Sequence, residues 1–430
     1  MVDRRVLAGV ALAALSGIAC QASPPAAKTT DDGRITLGLL DRANDAPSVA
    51  ALGKTVAIAW NARTELASDV YVRVSTDAGA TFGPPTRVNQ LVKDANLSGE
   101  QPARIAVASG NVIHVVWPSR YEGRAVLRYA SSADLGKTFT KPVTVVGEQE
   151  SGIRGWHSIA IGYDGGVHVL WLDGRNATPH QHSGSAGGRS SHAGMKRQAP
   201  RQDVFHASWK DFGSRTENAV VANVCFCCKT AIATAGDRVY AAWRHIFPGS
   251  VRDIAFARST DNGATFGAPV RLSDDNWTLD ACPDDGPSMA ADAHGGVHVA
   301  WPTMVPGERP RKGIFYASLL TTGPQGAGDA AAFSPRLRLD AGDADVAHPQ
   351  IASDDHGNVA VVWDERVDNR RRIVVRRVGS GVAAPAETFE GVGVTYPAVA
   401  AADGQWIVVW PAQTPDGLTM IEVRRIPFVH

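Results

Sequence analysis

One tryptophan recurs at a fixed position of a repeat that runs along almost the whole chain, and this repeat limits the folds available. It reads Pro-x-hydrophobic-Ala, a short spacer and then Val-x-Val-x-Trp, and seven copies can be aligned. The repeated tryptophans are Trp60, Trp117, Trp171, Trp243, Trp301, Trp363 and Trp410. Each copy holds two β-rich runs around a turn that contains glycine, which is typical of a β-hairpin. A period of this length predicts a fold built from repeated sheets.

Further β-rich runs follow the hairpin in each copy. The third runs are predicted to begin at Asp69, Ala125, Asp203, Asp253, Gly313, Arg371 and Met420. Four strands in each of seven units predict an all-β, seven-bladed β-propeller with antiparallel, four-stranded blades. The alternative is a six-bladed ring, in which one tryptophan repeat is not a blade.

The two ends of the chain are predicted to supply one blade between them. The seventh repeat ends without a fourth strand, while the run from Ile35 to Leu40 precedes blade 1 and has no hairpin partner. We therefore expect this N-terminal strand to complete blade 7 and close the ring, which removes two free sheet edges.

Three of the third strands run into a nearly identical turn, S-x-D-x-G-x-T-F, which begins at Ser75, Ser132 and Ser259. Its polar side chains can bond the backbone of the turn, and its glycine permits a positive φ. The motif resembles the Asp box, or BNR repeat, of the sialidase superfamily, and the resemblance covers residues 35–430. The stretches VCFCCKT from Val224 and ACPDDGP from Ala281 are similar to a bacterial group of sialidase-like lipoproteins.

The first residues have the pattern of a targeting segment. Arg4 and Arg5 precede an apolar stretch that is too short to span a bilayer, and small residues precede Cys20 as in a bacterial lipobox. We expect residues 1–20 to be a lipoprotein signal peptide ending at the lipidated Cys20, residues 21–34 to be a flexible tether, and residues 35–430 to be the propeller. The protein would then be secreted across the inner membrane and held by lipid in the cell envelope, at the outer membrane or in the periplasm.

The charge balance narrows the classes of partner. The chain has 43 basic and 43 acidic residues, so its formal net charge is zero and nothing indicates nucleic acid as a partner. The expected partners are the membrane, through the lipid on Cys20, and a small-molecule, glycan or metal ligand. An envelope protein docked on a propeller face is a further alternative.

The remaining cysteines precede the inner strands of blades 4 and 5, on the same predicted face of the ring. A long insertion after the second strand of blade 3 brings three histidines, His180, His182 and His192, to that face. The candidate ligand set is Cys225, Cys227, Cys228, Cys282, His180 and His182. One interpretation is two structural disulfides, with Cys225–Cys228 and Cys227–Cys282 as the preferred pairing. The others are a copper or zinc site of thiolates and imidazoles, and thiol redox chemistry.

The sialidase resemblance also implies a catalytic set. It consists of an arginine triad that binds a carboxylate, a tyrosine nucleophile with a glutamate as its base, and an aspartate that acts as the general acid. In the same order, the positions of this sequence that would fill it are Arg175, Arg244 and Arg366, Tyr396, Glu365, and Asp173. The Arg-Ile-Pro signature expected near the start of the domain is missing there. Arginines that recur after the repeat tryptophan can instead serve the repeat, for example by pairing between blades.

Two functional hypotheses follow. The first is a cell-envelope propeller lipoprotein that binds a ligand or a soft metal at its Cys/His-rich face without hydrolysis. The alternative is an exo-α-sialidase-type glycoside hydrolase acting on sialic acid or a related acidic sugar. His114, His168 and His298 each lie three residues before a repeat tryptophan, so we expect them to be packed rather than metal-bound.

Overall fold

The computed structural model describes residues 33–91, 93–121, 123–146, 152–176, 201–279, 281, 283, 285–320, 331–379 and 381–428. Their strands form seven antiparallel sheets of four or five strands. The inner strand of each sheet contacts that of the next, from blade 1 round to blade 7 and back to blade 1. The predicted seven-bladed β-propeller is therefore confirmed, and the six-bladed alternative is wrong. Cys20, His180, His182 and Cys282 lie outside the described residues.

Within a blade, strands follow one another outward from the ring axis. Blades 1 to 3 consist of Ala43–Leu52, Thr55–Arg63, Ser68–Ser75 and Thr86–Arg87; Arg104–Ala108, Val112–Tyr121, Arg124–Ser132 and Val143–Thr144; and Arg154–Ile161, Val167–Asp173, Arg201–Trp209 and Thr216–Cys225. Blades 4 and 5 consist of Ala231–Ala235, Arg238–Arg244, Ile254–Ser259 and Val270–Arg271; and Ser288–Ala291, Val297–Val305, Arg311–Leu320, Ala332–Phe333 and Leu337–Arg338. Blade 6 consists of Asp345–Ser353, Val359–Val367, Arg370–Gly379, Val382–Ala383 and Glu387–Glu390.

Blade 7 is built from both ends of the chain, as predicted. Its inner three strands are Ala398–Ala402, Gln405–Gln413 and Thr419–Pro427, and its outer strand is Ile35–Leu37. The outer strand pairs antiparallel with the third strand, and its two apolar side chains are almost fully buried. Two 3₁₀ turns occur elsewhere, and no helix in the described parts of the chain has the length and hydropathy needed to cross a membrane.

Each repeat tryptophan packs its indole between its own blade and the preceding one. Trp60 lies among residues of blades 1 and 7, and Trp363 lies among residues of blades 6 and 5. Five of the seven indole N–H groups donate to a side chain: Trp60 to Asn44, Trp171 to Asp173, Trp243 to His245, Trp301 to Asp275 and Trp363 to Glu365. Three of these acceptors stand two residues after their tryptophan, because that position brings a polar atom to the buried indole.

The Asp-box turns join the third and fourth strands, at the end of the blade opposite the connections into the inner strands. In the first box, the Ser75 and Thr81 hydroxyls both donate to Asp77, at 2.6 Å each, and the Gly79 amide donates to Ser75 at 2.9 Å. Gly79 has a φ of 77°, which explains the glycine of the motif. The boxes at Asp134 and Asp261 repeat these bonds.

Candidate functional site

The inner strands line an axial channel, and strand register identifies equivalent positions in the seven blades. In each blade, one inner-strand residue pairs with the residue just before the repeat tryptophan, and we call these seven residues the channel layer. They are Ser48, Arg104, Ser158, Ala231, Ser288, Gln350 and Ala398. They line a cavity of about 170 Å³. We call mouth layer the residues two positions earlier: Ala46, Pro102, Trp156, Lys229, Gly286, His348 and Tyr396. The mouth layer lies where the chain enters the inner strands.

An irregularity in the inner strand shapes the mouth layer. In blades 1, 3 and 6 the register shifts between the mouth layer and the channel layer. Ala46, Trp156, His348 and Tyr396 all have positive φ values, between 45° and 58°. A bulge of this kind redirects a side chain out of the regular pleat. In blades 6 and 7 the mouth-layer side chains His348 and Tyr396 meet at the channel mouth, whereas Trp156 of blade 3 packs against the interface between blades 3 and 4.

Two of these side chains form the centre of a polar cluster. The rings of His348 and Tyr396 stack with their centroids 3.9 Å apart. The Tyr396 hydroxyl donates to Glu100 Oε1 at 3.1 Å, and His348 Nε2 lies 3.2 Å from the same oxygen. On its other side, His348 Nδ1 lies 2.6 Å from Asp364 Oδ1. Residues from blades 6 and 7 and from the connection into blade 2 therefore meet at one point.

Neighbouring groups hold this cluster in place. Asp364 also accepts from the Tyr396 amide at 3.1 Å and from Arg371 at 2.7 Å. Asp285 accepts from the His348 amide at 2.7 Å and forms an ion pair with Lys229 at 3.3 Å. Such a network fixes the side-chain rotamers before any ligand arrives.

Both His348 and Tyr396 keep their protons at neutral pH, because their surroundings raise both pKa values. Burial disfavours the charged form of His348, but hydrogen bonds to Asp364 and Glu100 outweigh it and raise its pKa to about 9. Burial, together with the nearby Glu100 carboxylate, raises the pKa of the Tyr396 phenol. His348 is therefore charged at neutral pH, and the Tyr396 phenol is neutral and donates its hydrogen bond to Glu100.

Glycine makes room for the tyrosine. A Cβ atom built on Gly99 would lie 2.2 Å from the Tyr396 ring, a distance that no side chain can occupy. The absence of a side chain at Gly99 lets the connection that carries Glu100 pass directly against this ring.

The six catalytic positions taken from the sialidase resemblance do not gather at one place. Arg244 is fully buried and donates to the carbonyl oxygens of Asp285, Arg252 and Pro302, at 3.0, 2.6 and 2.7 Å. Arg175 is bound to Asp173 and Glu217, and Arg366 is bound to Asp345. Each arginine serves contacts of its own blade or of the next one.

The expected partner of the tyrosine is corrected by the structure. Tyr396 hydrogen-bonds Glu100, whereas Glu365 accepts from the Trp363 indole at 2.9 Å and from Arg372 at 2.7 Å. Asp173 is likewise fully buried and bound to Trp171, Arg154 and Arg175. The mouth-layer position, read across the seven repeats, is the sequence signal that would have indicated Lys229, His348 and Tyr396 together.

The three described cysteines form a buried cluster beside the channel mouth. The Sγ atoms of Cys225 and Cys228 lie 3.7 Å apart, and those of Cys225 and Cys227 lie 3.8 Å apart. Cys227 is disulfide-bonded, whereas Cys225 and Cys228 are free thiols. The expected Cys225–Cys228 disulfide is therefore wrong, because the two sulfurs are well beyond bonding distance. The other expected bridge involves Cys282, outside the described residues.

The two free thiols differ in acidity. A hydrogen bond with Cys228 lowers the pKa of Cys225 to about 6, and Arg252 and Arg244 add to this shift. Burial raises the pKa of Cys228. The three sulfurs all lie within 4.8 Å of one another, which is close enough to surround one soft metal ion if Cys227 is reduced.

The repeat histidines are packed, as expected. His114 and His298 hydrogen-bond Tyr129 and Tyr316 at 2.8 Å, and His168 lies 3.1 Å from His206. All are buried, and burial lowers the pKa of His114 and of His168 to about 4. They belong to the interior of the blades.

Comparison with known proteins shows similarity in fold. No model of a protein family matches the chain, and no curated protein matches it. It is similar to the polysaccharide lyase PL25 ulvan lyase bound to a GlcA(1-4)Rha3S saccharide, with 11% identity over 91% of this chain and 96% of that one and a TM-score of 0.52. It is similar to polysaccharide lyase Uly1, with 12% identity over 88% and 89% and a TM-score of 0.52. Trypanosoma rangeli sialidase in complex with the inhibitor DANA matches with 12% identity over 92% and 57% and a TM-score of 0.44. The chain is thus a seven-bladed β-propeller whose fold is similar to that of the two lyases.

Proposed function

We propose that the channel mouth is the active site of a glycoside hydrolase for an acidic sugar, with Tyr396 as nucleophile and Glu100 as its base. The observation that carries the proposal is the 3.1 Å hydrogen bond from the Tyr396 hydroxyl to Glu100, at the mouth of an axial cavity. A neutral phenol is a weak nucleophile, and an adjacent carboxylate that accepts its proton activates it. Arg104 lines the same cavity and supplies positive charge for an acidic substrate.

The proposed reaction has two steps. The Tyr396 oxygen attacks the anomeric carbon while its proton passes to Glu100, and the bond to the leaving group breaks with its electron pair. Water then attacks the anomeric carbon of the aryl-glycoside intermediate on Tyr396, the bond to the Tyr396 oxygen breaks as Glu100 returns its proton to that oxygen, and the water gives up one proton to the solvent. The His348 imidazolium, 3.2 Å from Glu100, holds that carboxylate toward the phenol.

The test is a panel of fluorogenic aryl sialosides and aryl uronides, since an aryl leaving group departs without protonation. We expect turnover of at least one, with losses of about 10²- to 10⁴-fold in Tyr396→Phe and Glu100→Gln. Tyr163→Phe, on a tyrosine that is 69% exposed, is the matched control. A fluorinated glycosyl donor should label Tyr396 in a peptide map. No turnover across the panel, or full activity in Tyr396→Phe, would reject the proposal. An unsaturated uronate product would also contradict it, because that product forms by elimination and not by hydrolysis.

A second candidate is soft-metal binding at the cysteine cluster by a non-hydrolytic protein. The close approach of three sulfurs supports it, and copper(I) is the ion that two or three thiolates satisfy best. Zinc would need a fourth ligand, for which Cys282, His180 and His182 are the candidates. We expect protein purified with a reductant to take up copper(I) in near-equal amount, and Cys225→Ser or Cys228→Ser to lose it. Metal-free protein under these conditions would reject this function.

We also propose that the protein is a secreted lipoprotein of the cell envelope, anchored through Cys20. The lipobox-like residues before Cys20 support this location. Metabolic labelling with a palmitate analogue, lost in Cys20→Ala, and recovery in the membrane fraction would test it. A docked envelope protein would appear by cross-linking in the same cells.

A further inference from the structure

Arg104 is the one charged residue of the channel layer. The other six blades place uncharged side chains there: Ser48, Ser158, Ala231, Ser288, Gln350 and Ala398. A residue that departs from its repeat is not needed by the repeat, since six blades form without it. This departure therefore points to a role inside the channel rather than in the blade.

The guanidinium of Arg104 is only weakly compensated by the protein, because the Glu100 carboxylate acts on it from beyond ion-pair distance. Its Nε donates to the His157 carbonyl at 3.3 Å, and within the described ranges its two terminal nitrogens have no hydrogen-bond partner. None of the described carboxylates lies within ion-pair distance of it. Lys229, the other cation of this wall, differs, because it is bound to Asp285 and to the Pro349 carbonyl.

A partly desolvated cation without an ion pair is costly to maintain, and the Glu100 carboxylate, which attracts Arg104 from beyond ion-pair distance, offsets the burial only in part. Burial lowers the pKa of Arg104 to about 10, so the side chain is still protonated at neutral pH and pays the desolvation cost in the charged form. A guanidinium with two unused nitrogens in one plane binds an oxyanion bidentately. The channel cavity, of about 170 Å³, has room for such an ion and some water.

We propose that Arg104 binds a small oxyanion inside the axial channel, one layer below the Tyr396–Glu100 pair. The shared chemistry is a carboxylate, sulfate or phosphate group held by the two terminal nitrogens. Its source is either a free ion from solution or the acidic group of a saccharide whose ring sits at the mouth. The site goes beyond the proposed hydrolase, because anion binding here needs no turnover.

Thermal unfolding and calorimetric titration test the site directly, using acetate, sulfate, phosphate, glucuronate and N-acetylneuraminate as probes. We expect at least one probe to stabilise the full chain, and its affinity to fall at least tenfold in Arg104→Gln. Arg366→Gln, which removes a half-exposed arginine paired with Asp345, is the matched control and should bind like wild type. In buffer without oxyanions, Arg104→Gln should be as stable as wild type or more stable, because it removes an unpaired desolvated charge.

The choice of probes distinguishes a free anion from the acidic group of a saccharide, and the Tyr396→Phe variant distinguishes anion binding from hydrolysis. Stabilisation by inorganic ions indicates a free resident anion, and stabilisation by acidic sugars alone indicates a substrate subsite. Tyr396→Phe should keep anion binding even where it abolishes turnover, so failure of the hydrolase leaves the site testable. If Arg104→Gln does not fold, Arg104→Lys should fold and bind several-fold more weakly, since lysine keeps the charge without the fork. Absence of binding to wild type, or equal binding to Arg104→Gln, would overturn the site.

Discussion

The Tyr396 hydroxyl and the Glu100 carboxylate are hydrogen-bonded across 296 positions of sequence. Tyr396 begins blade 7, and Glu100 precedes blade 2, so the pair spans the intervening blade 1. The mouth-layer residue of blade 1 is Ala46, which is buried. Only the closed ring brings the two residues together, and the candidate site is therefore a property of the assembled propeller.

Gly99→Ala should uncouple this pair. The new Cβ would lie 2.2 Å from the Tyr396 ring, so the ring or the connection bearing Glu100 must shift. Misplacing a reacting group by about 1 Å costs on the order of 10²-fold in turnover, and we expect a loss of this size in kcat with the fold retained by circular dichroism. Gly213→Ala is the control, because its nearest contact would be an ordinary 3.8 Å. Equal activity in both variants would contradict the placement of the pair.

His348→Gln should destabilise the protein in a pH-dependent manner. The folded-state pKa of His348 is raised from 6.5 to about 9, so its contribution is complete below pH 6.5 and disappears as the pH rises through 9. The shift corresponds to stabilisation on the order of 3 kcal/mol at low pH. Urea unfolding at a series of pH values should show the gap between wild type and variant narrowing above pH 9. The charged groups that face this ring are Glu100, Asp364, Asp285 and Lys229, and exposed His294→Gln is the control. A gap that does not change with pH would be evidence against a charged His348.

Glu365→Ala should affect stability rather than catalysis. The substitution leaves the buried Trp363 indole and Arg372 without their acceptor, which costs about 2–4 kcal/mol. Glu365→Gln keeps an acceptor for the indole and should cost less. Glu387→Ala, at a half-exposed ion pair with Arg377, should cost under about 1 kcal/mol. Chemical denaturation gives the stabilities, and specific activity per folded molecule should be unchanged; a selective loss of kcat would restore Glu365 as the base.

Asp77→Asn should weaken the first Asp box above pH 4 and have little effect near pH 2. Burial opposes the charge, but hydrogen bonds from Ser75 and Thr81 outweigh it and lower the pKa of Asp77 from 3.8 to about 2. The contribution is therefore present above pH 3.8 and is lost as the pH falls through 2. Acid titration followed by tryptophan fluorescence should show the two proteins converging at low pH. Asp237→Asn, at an exposed carboxylate, should follow wild type throughout.

The fold was predictable because the same sequence pattern repeats once in every blade. Hydrophobic alternation, turn glycines and a tryptophan repeated in register are local signals, and each blade contains its own copy. Ring closure could also be predicted, because the sequence itself shows that the seventh repeat lacks a fourth strand and that the Ile35–Leu37 strand has no hairpin partner.

The site was only partly predictable, because its residues come from the entries into five different blades and are far apart in the sequence. Tyr396 was found through a family resemblance, but its partner Glu100 carries no local signal. The family resemblance implies Asp173 and Glu365 as candidate acid and base, whereas their position two residues after a tryptophan satisfies a buried indole. The spacing of Cys225 and Cys228 also could not show which sulfur is bridged, since pairing depends on distances of a few ångströms.

Blade 7, which is built from both ends of the chain, can form only after the other blades have been synthesised. Among the described strands of the ring, Ile35–Leu37 is synthesised first, and the Thr419–Pro427 strand that it pairs with is synthesised last. Until then, blades 1 to 6 form an open arc with a bare sheet at each end, the kind of surface that recruits neighbouring chains. Chains truncated before residue 419 should therefore accumulate as aggregates rather than as smaller soluble propellers.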